Sequence, residues 1–127
     1  MATFLEEVLA TTKIEGLHTT SSSGTDTVNR YTVPANRYAR IVASVREDER
    51  GGLSSPSRIS LLINDAEVLR SVRDDGSRIP SQTVTDVFYV EPGDVIKTSV
   101  IAVQTSIPAI AGGGRFYIHI SLIGKPS

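Results

Sequence analysis

The clearest pattern in the chain is a strict alternation of apolar and polar residues near its end. Phe116, Ile118, Ile120 and Leu122 alternate with Arg115, Tyr117, His119 and Ser121. Successive side chains of a strand point to opposite sides of the sheet, so this pattern predicts a strand over 115–123 with one face in the core. The stretch 38–46 shows the same period of two, and its apolar positions are Ala39, Ile41, Ala43 and Val45.

A strand–turn–strand unit is predicted over 84–103. Val87, Phe88, Tyr89 and Val90 are β-branched or aromatic residues, which favour strands. Pro92-Gly93-Asp94 follows, and these three residue types favour a tight turn. An extended run from Val95 to Val103 completes the unit.

Three further strands are predicted over 28–33, 58–64 and 66–72, the last two joined by a turn at Asn64-Asp65. Polar or Gly-rich loops are expected at 47–57, 73–82 and 104–114. About seven strands at this regular spacing indicate an all-β protein. We therefore predict an antiparallel β-sandwich of jelly-roll type.

The first 27 residues have a different composition. Phe4, Leu5, Val8 and Leu9 share one helical face, and Thr3 and Glu6 have the spacing of a capping box, so a short helix is predicted over 1–10. Residues 11–27 are rich in Ser, Thr and Gly and are predicted to be a linker. The expected organisation is an N-terminal arm at 1–27 followed by a sandwich domain at 28–127.

Composition excludes several classes of function. The formal net charge of -1 gives no electrostatic basis for binding nucleic acid or an anionic membrane. The chain contains no cysteine, which removes disulfides and thiolate chemistry. No apolar run has the length of a membrane span, and the N-terminus does not look like a signal peptide. We expect a protein made in the cytosol without a membrane anchor.

Candidate catalytic and metal-binding groups are sparse. His18 lies in the predicted linker, and His119 lies on the outward face of the last predicted strand. Asp74-Asp75-Gly76 lacks the rest of a calcium-loop pattern. Gly112-Gly113-Gly114 precedes a strand rather than a helix, which predicts a hinge or a close backbone approach instead of a phosphate loop. We predict a protein that is not an enzyme and that has no cofactor and no metal.

Three segments carry a resemblance to a known group of proteins. They are RYTVPANRYARIVAS, FYVEPGDVIKTS and GRFYIHISLIGKPS, and they resemble small β-sandwich domains of bacteriophage virions. The matching residues are Val33 to Arg40, Val90 to Ile96 and Arg115 to Ile123. The resemblance covers most of the chain after Thr27.

The resemblance implies a structural or binding role, because such domains serve as capsid decoration (cement) proteins or as modules of head and tail fibres. They are commonly trimers, so the partners would be other copies of the chain and the major capsid protein, with the virion as the location. A fibre needs a long shaft, and a chain of 127 residues with an arm fits a decoration protein better. The predicted contact residues are Phe4, Leu5, Val8, Leu9, Ile107, Ile110, Arg37 and Arg40.

There are two alternative hypotheses for the function. A tail or fibre module that binds host polysaccharide would use the three loops, with or without a tyrosine. A cupin-like enzyme would need several histidine and acidic ligands on inward strand positions. The single strand histidine is predicted to point outward, which argues strongly against that enzyme.

Overall fold

The computed structural model describes residues 8–20, 24–47, 57–73, 82–102 and 112–124. Eight strands run through these ranges, and each takes part in one of two sheets. In chain order they are β1 (Val8–Thr20), β2 (Gly24–Thr32), β3 (Tyr38–Glu47), β4 (Ser57–Ile63), β5 (Ala66–Arg73), β6 (Val84–Val90), β7 (Val95–Ala102) and β8 (Gly112–Ile123).

The strand order confirms the predicted all-β jelly roll. Sheet A has the order β1-β8-β3-β6, and sheet B has the order β2-β7-β4-β5. The first strand pairs with the last, the second with the seventh, the third with the sixth and the fourth with the fifth, all antiparallel. This nesting is what a long hairpin produces when it rolls into two packed sheets.

The core lies between the sheets and includes the inward side chains that alternation predicted at 38–46, 58–64 and 115–123. Ile41, Ile118 and Ile120 of sheet A are fully buried, as are Ile59, Leu61 and Ile96 of sheet B. Leu122 points inward and packs against this core as a half-buried residue. Burial of branched aliphatic side chains is the main driving force that holds the two sheets together.

The two ends of the sandwich differ in their connections. One end, the turn end, holds the tight turns at 33–37, 64–65 and 91–94 together with the start of β1 and the end of β8. Asn64 adopts a left-handed φ of 58° there, and Gly93 has a φ of 85°, as the predicted turn chemistry requires. Backbone hydrogen bonds join Val33 to Asp94 and Asn64 to Val95. At the opposite end, the loop end, the other four connections leave the sheets.

The prediction of a helix over 1–10 is wrong for Val8–Ala10, because these residues belong to β1. The prediction of a linker over 11–27 is also corrected, since Thr11–Thr20 continue β1 and Gly24–Thr27 open β2. Residues 1–7 and 21–23 lie outside the described ranges. Long-range pairing explains the difference: β1 pairs with β8 along its length, from Val8 opposite Ile123 to Thr20 opposite Gly112. Such pairing overrides local propensity.

Gly112–Gly114 belong to the predicted loop 104–114, but in the structure they form the start of β8. The alternative expectation of a close backbone approach is confirmed. A Cβ built on Gly113 would overlap the carbonyl oxygen of His18, and one on Gly114 would overlap that of Arg46. The glycines therefore let β8 fit between β1 and β3.

Candidate functional site

The structure separates the residues that the sequence singled out for partner binding. Phe4, Leu5, Ile107 and Ile110 lie outside the described residues, as does the side chain of Leu9. Val8 is exposed at the start of β1. Arg37 is exposed in the turn after Pro34, where its Nη1 donates to the carbonyl of Asn36 at 3.0 Å. Arg40 is half-buried on β3. Their role in contacts stays a prediction.

Exposed apolar side chains are concentrated on the outer face of sheet A. The large hydrophobic residues that are exposed in the described part of the chain are Val8, Leu17, Val87 and Tyr89, and all four belong to β1 or β6. The pairing register places them outward, since Val87 lies opposite the outward Val42 and Tyr89 opposite Arg40. We call Val8, Tyr38, Val42, Val87 and Tyr89 the apolar patch. It covers the half of this face nearest the turn end.

The outer face of sheet B has a different character. Thr25, Thr27 and Asn29 of β2 are exposed and lie opposite Ile101, Ser99 and Lys97 of β7. Ion pairs cover parts of this face, because Lys97 Nζ lies 2.8 Å from Asp65 and Arg70 Nε 2.5 Å from Glu67. The two faces of the sandwich are therefore unequal, and sheet A presents the more apolar one.

A buried polar cluster joins the two sheets along the side where β1 and β2 are neighbours. His18 is only 4% exposed, and its Nε2 lies 2.7 Å from Asp26 Oδ2 on β2. Its Nδ1 lies 2.8 Å from Thr98 Oγ1 on β7. Since a carboxylate can only accept, Nε2–H donates to Asp26, and in a neutral imidazole Nδ1 accepts from the Thr98 hydroxyl.

Arg30 completes this cluster. Its Nε donates to Thr98 Oγ1 at 2.9 Å, and its guanidinium lies 4.3 Å from the centre of the Phe116 ring. Burial lowers the pKa of the Arg30 guanidinium, and the nearby Asp26 carboxylate opposes that shift. The cation–π contact and the hydrogen bond offset part of the free energy that the Arg30 charge loses when it is partly removed from water.

An aspartate, a histidine and a hydroxyl in series would suit nucleophilic catalysis if the hydroxyl could meet a substrate. Thr98 is fully buried, and Arg30 already donates to its oxygen. The cluster therefore acts in this fold as a structural link between β1 of sheet A and β2 and β7 of sheet B.

A second buried polar group lies at the loop end. Glu47, the last residue of β3, is fully buried and accepts from Ser57 Oγ at 2.5 Å. Its backbone N–H donates to Ser71 Oγ at 2.8 Å, and Ser71 in turn donates to the carbonyl of Gln82 at 3.0 Å. These bonds tie together the ends of β3 and β5, the start of β4 and the residues just before β6, which fixes the points where the loops begin.

Sequence reasoning missed both polar clusters. His18 was placed in a linker because the inward positions of β1 include only one large aliphatic side chain, Ile14. Glu47 was placed at the edge of a charged loop. His119 was predicted correctly: it points outward, lies opposite Val42 and Lys13 and is half-buried. The Thr-rich composition of 11–20 was the available signal for β1, since threonine favours strands.

Metal-binding groups and membrane helices are absent from the ranges that the structure describes. Within them, no three His, Asp or Glu side chains gather into a group that could hold a metal ion. The same residues include no helix long and apolar enough to cross a membrane. The expectation of a protein without a metal or a cofactor stays a prediction.

Comparisons with known proteins reveal similarity of fold. No family model and no curated protein sequence matches this chain. Among solved structures, a pilus of the Bacillus endospore appendage family, described as disulfide-linked, matches at 15% identity and a TM-score of 0.49, over 98% of this chain and 96% of the other. The present chain has no cysteine.

Two further structures match over parts of longer chains. The subviral particle of infectious bursal disease virus VP2 matches at 12% identity and a TM-score of 0.37, over 94% of this chain and 38% of the other. An exo-β-1,3-galactanase of Phanerochaete chrysosporium matches at 16% identity and a TM-score of 0.38, over 89% and 30%. At these identities and TM-scores, the likenesses concern the fold alone.

Proposed function

We propose that this chain is a non-enzymatic structural protein of a bacteriophage particle, a capsid decoration protein that forms a homotrimer and binds the head lattice. The observation that carries the proposal is the apolar patch on the outer face of sheet A. Val87 and Tyr89 are 47% and 64% exposed, and Val8 is 46% exposed. Exposed apolar side chains grouped on one face mark a surface for association with another protein.

Two observations support the proposal that other copies of the chain bind to this patch. The patch contains two tyrosines, and Arg40 lies inside it, between Tyr38 and Val42 on β3 and opposite Tyr89. Both residue types are enriched at the centres of protein interfaces. The sequence resemblance to phage virion domains, which commonly form trimers, supports the same assembly. Capsid binding through residues 1–7, which include Phe4 and Leu5, belongs to the same proposal, since many weak contacts on one particle add through effective concentration.

The first experiment measures the mass of the full-length protein by light scattering behind a sizing column. We expect a trimer that dissociates on dilution. Val87→Glu places a charge in the patch and should raise the dissociation constant more than tenfold. Thr25→Glu, at an exposed strand position on the outer face of sheet B, is the matched control and should leave the mass unchanged.

A monomer at all concentrations, or equal masses for Val87→Glu and wild type, would contradict self-association through the patch. The decoration role is tested separately by incubating the protein with phage heads that lack their decoration protein and sedimenting the heads. Cosedimentation of wild-type protein supports the role. Failure of folded, trimeric protein to bind such heads overturns it without affecting the assembly result.

A further inference from the structure

The segment VTDVFYV, which forms β6, has the composition of a strand that pairs readily with other chains. Six of its seven residues are β-branched or aromatic, and it contains neither glycine nor proline. Short segments with high β-propensity and little charge are prone to pair with strands of other molecules. Asp86 is the one charged residue of the segment, so any charge that protects the strand from within is this one.

β6 is also a regular and accessible edge of sheet A. Within the described part of the chain it pairs with β3 and with no other strand. The other edge strands of the two described sheets, β1, β2 and β5, lie in pairs that contain a register shift, and such irregularities hinder the addition of a further strand. β6 follows β3 without a shift from Val84 to Val90. Thr85, Asp86 and Val87 are exposed, so solvent reaches this edge.

Asp86 lies at a core-facing position of β6 and is nevertheless exposed. Its partner in the register is Ala43, which is fully buried, and residues directly opposite each other in an antiparallel pair share a face. The Asp86 Oδ1 accepts a hydrogen bond from the backbone N–H of Val87 at 2.7 Å. The carboxylate therefore occupies a backbone donor of the edge strand.

We propose that Asp86 keeps the edge of β6 from pairing with β6 of a second copy of the chain. In an antiparallel pair centred on Val87, each Val87 N–H would donate to the Val87 carbonyl of the other copy, so its bond to Asp86 would have to break. The same pairing would place Asp86 opposite Phe88 on the core-facing side of a continuous sheet, where a carboxylate loses contact with water. The inference goes beyond the proposed function, because it concerns the edge of sheet A and not its outer face.

The test measures the solution mass of full-length variants by light scattering behind a sizing column, over a range of protein concentrations. Asp86→Ala frees the Val87 N–H and should at least double the mass relative to wild type. Asp65→Ala removes the same charge from an exposed turn, so it is the matched control and should keep the wild-type mass. Thr85 lies two residues before Val87 and directs its N–H to the same side of the strand. Adding Thr85→Pro to Asp86→Ala removes that donor and should abolish the increase, since proline is tolerated on edge strands.

Three results would overturn the inference. They are an Asp86→Ala protein with the wild-type mass at every concentration, an equal increase for Asp65→Ala, or an increase that persists when Thr85→Pro is added. Thermal melting confirms that each variant is folded, and Asp86→Val, which favours a strand more than alanine does, is a second variant with the same expected result. Each comparison is made with wild type in whatever assembly it forms. A monomeric wild type would therefore contradict the assembly proposal without affecting this test.

Discussion

His18 and Thr98 lie 80 positions apart in the sequence, and their side chains hydrogen-bond at 2.8 Å across the gap between the two sheets. This bond and its neighbour to Asp26 connect an edge strand of sheet A to two strands of sheet B. The sandwich is therefore joined by directed polar contacts on its β1/β2 side as well as by its apolar core.

His18→Ala should destabilise the protein by about 1–3 kcal/mol, because it leaves buried Thr98 without one of its partners and opens a small cavity. Urea unfolding followed by circular dichroism measures the loss. His119→Ala is the matched control, since His119 points outward on the same sheet. If the two variants lose the same free energy of unfolding, the hydrogen bonds of His18 between the sheets do not contribute to stability.

Gly114→Ala should be strongly destabilising, by about 3 kcal/mol or more, because the added methyl group overlaps the backbone carbonyl of Arg46 on the neighbouring strand. The effect is steric, since Gly114 does not have a positive φ. Gly124→Ala adds the same methyl group where nothing lies within 4 Å, and it should be nearly neutral. Thermal melting compares them, and a Gly114→Ala protein with the wild-type melting temperature would refute this packing.

Ser57→Ala removes the hydroxyl that donates to fully buried Glu47. Leaving a buried polar group without its hydrogen-bond partner costs about 1–3 kcal/mol, so a loss in that range is expected in urea unfolding. Ser60→Ala is the control: this buried serine donates to Glu67, which is partly exposed and also bonded by Arg70, so the loss should be smaller. The reverse order would contradict the assigned role of Ser57.

Tyr31 should make stability sensitive to alkaline pH. Burial raises the pKa of its phenol above the ordinary value of 10.0. The unfolded chain therefore loses this proton first, so the stabilisation is complete below pH 10 and decreases as pH rises through the folded pKa. Urea unfolding from pH 8 to pH 11 should show a shallower decline for Tyr31→Phe than for wild type.

Tyr89→Phe is the matched variant for that pH series, because Tyr89 is 64% exposed. It should keep the wild-type slope. If the free energy of unfolding falls with the same slope in Tyr31→Phe and in wild type, Tyr31 is not the cause of the lower stability at alkaline pH.

Local sequence determined the strands whose inward positions are mostly apolar. Alternation at 38–46 and 115–123 assigned the inward faces correctly, and Asn64 and Pro92-Gly93-Asp94 fixed two turns because few residues tolerate those backbone angles. The jelly-roll class followed from the number and spacing of such segments. These features depend on neighbours along the chain, which a sequence displays directly.

Only the tertiary structure determined that β1 is a strand, where its polar side chains lie and which residues form the two outer faces. Val8–Thr20 form a strand because β8, close to the other end of the chain, pairs with it in the closed sandwich. His18 is buried because Asp26 and Thr98 satisfy both of its nitrogens, and Arg46 faces Arg115 because β3 and β8 share a register. Each depends on contacts between distant segments, which local periodicity does not encode.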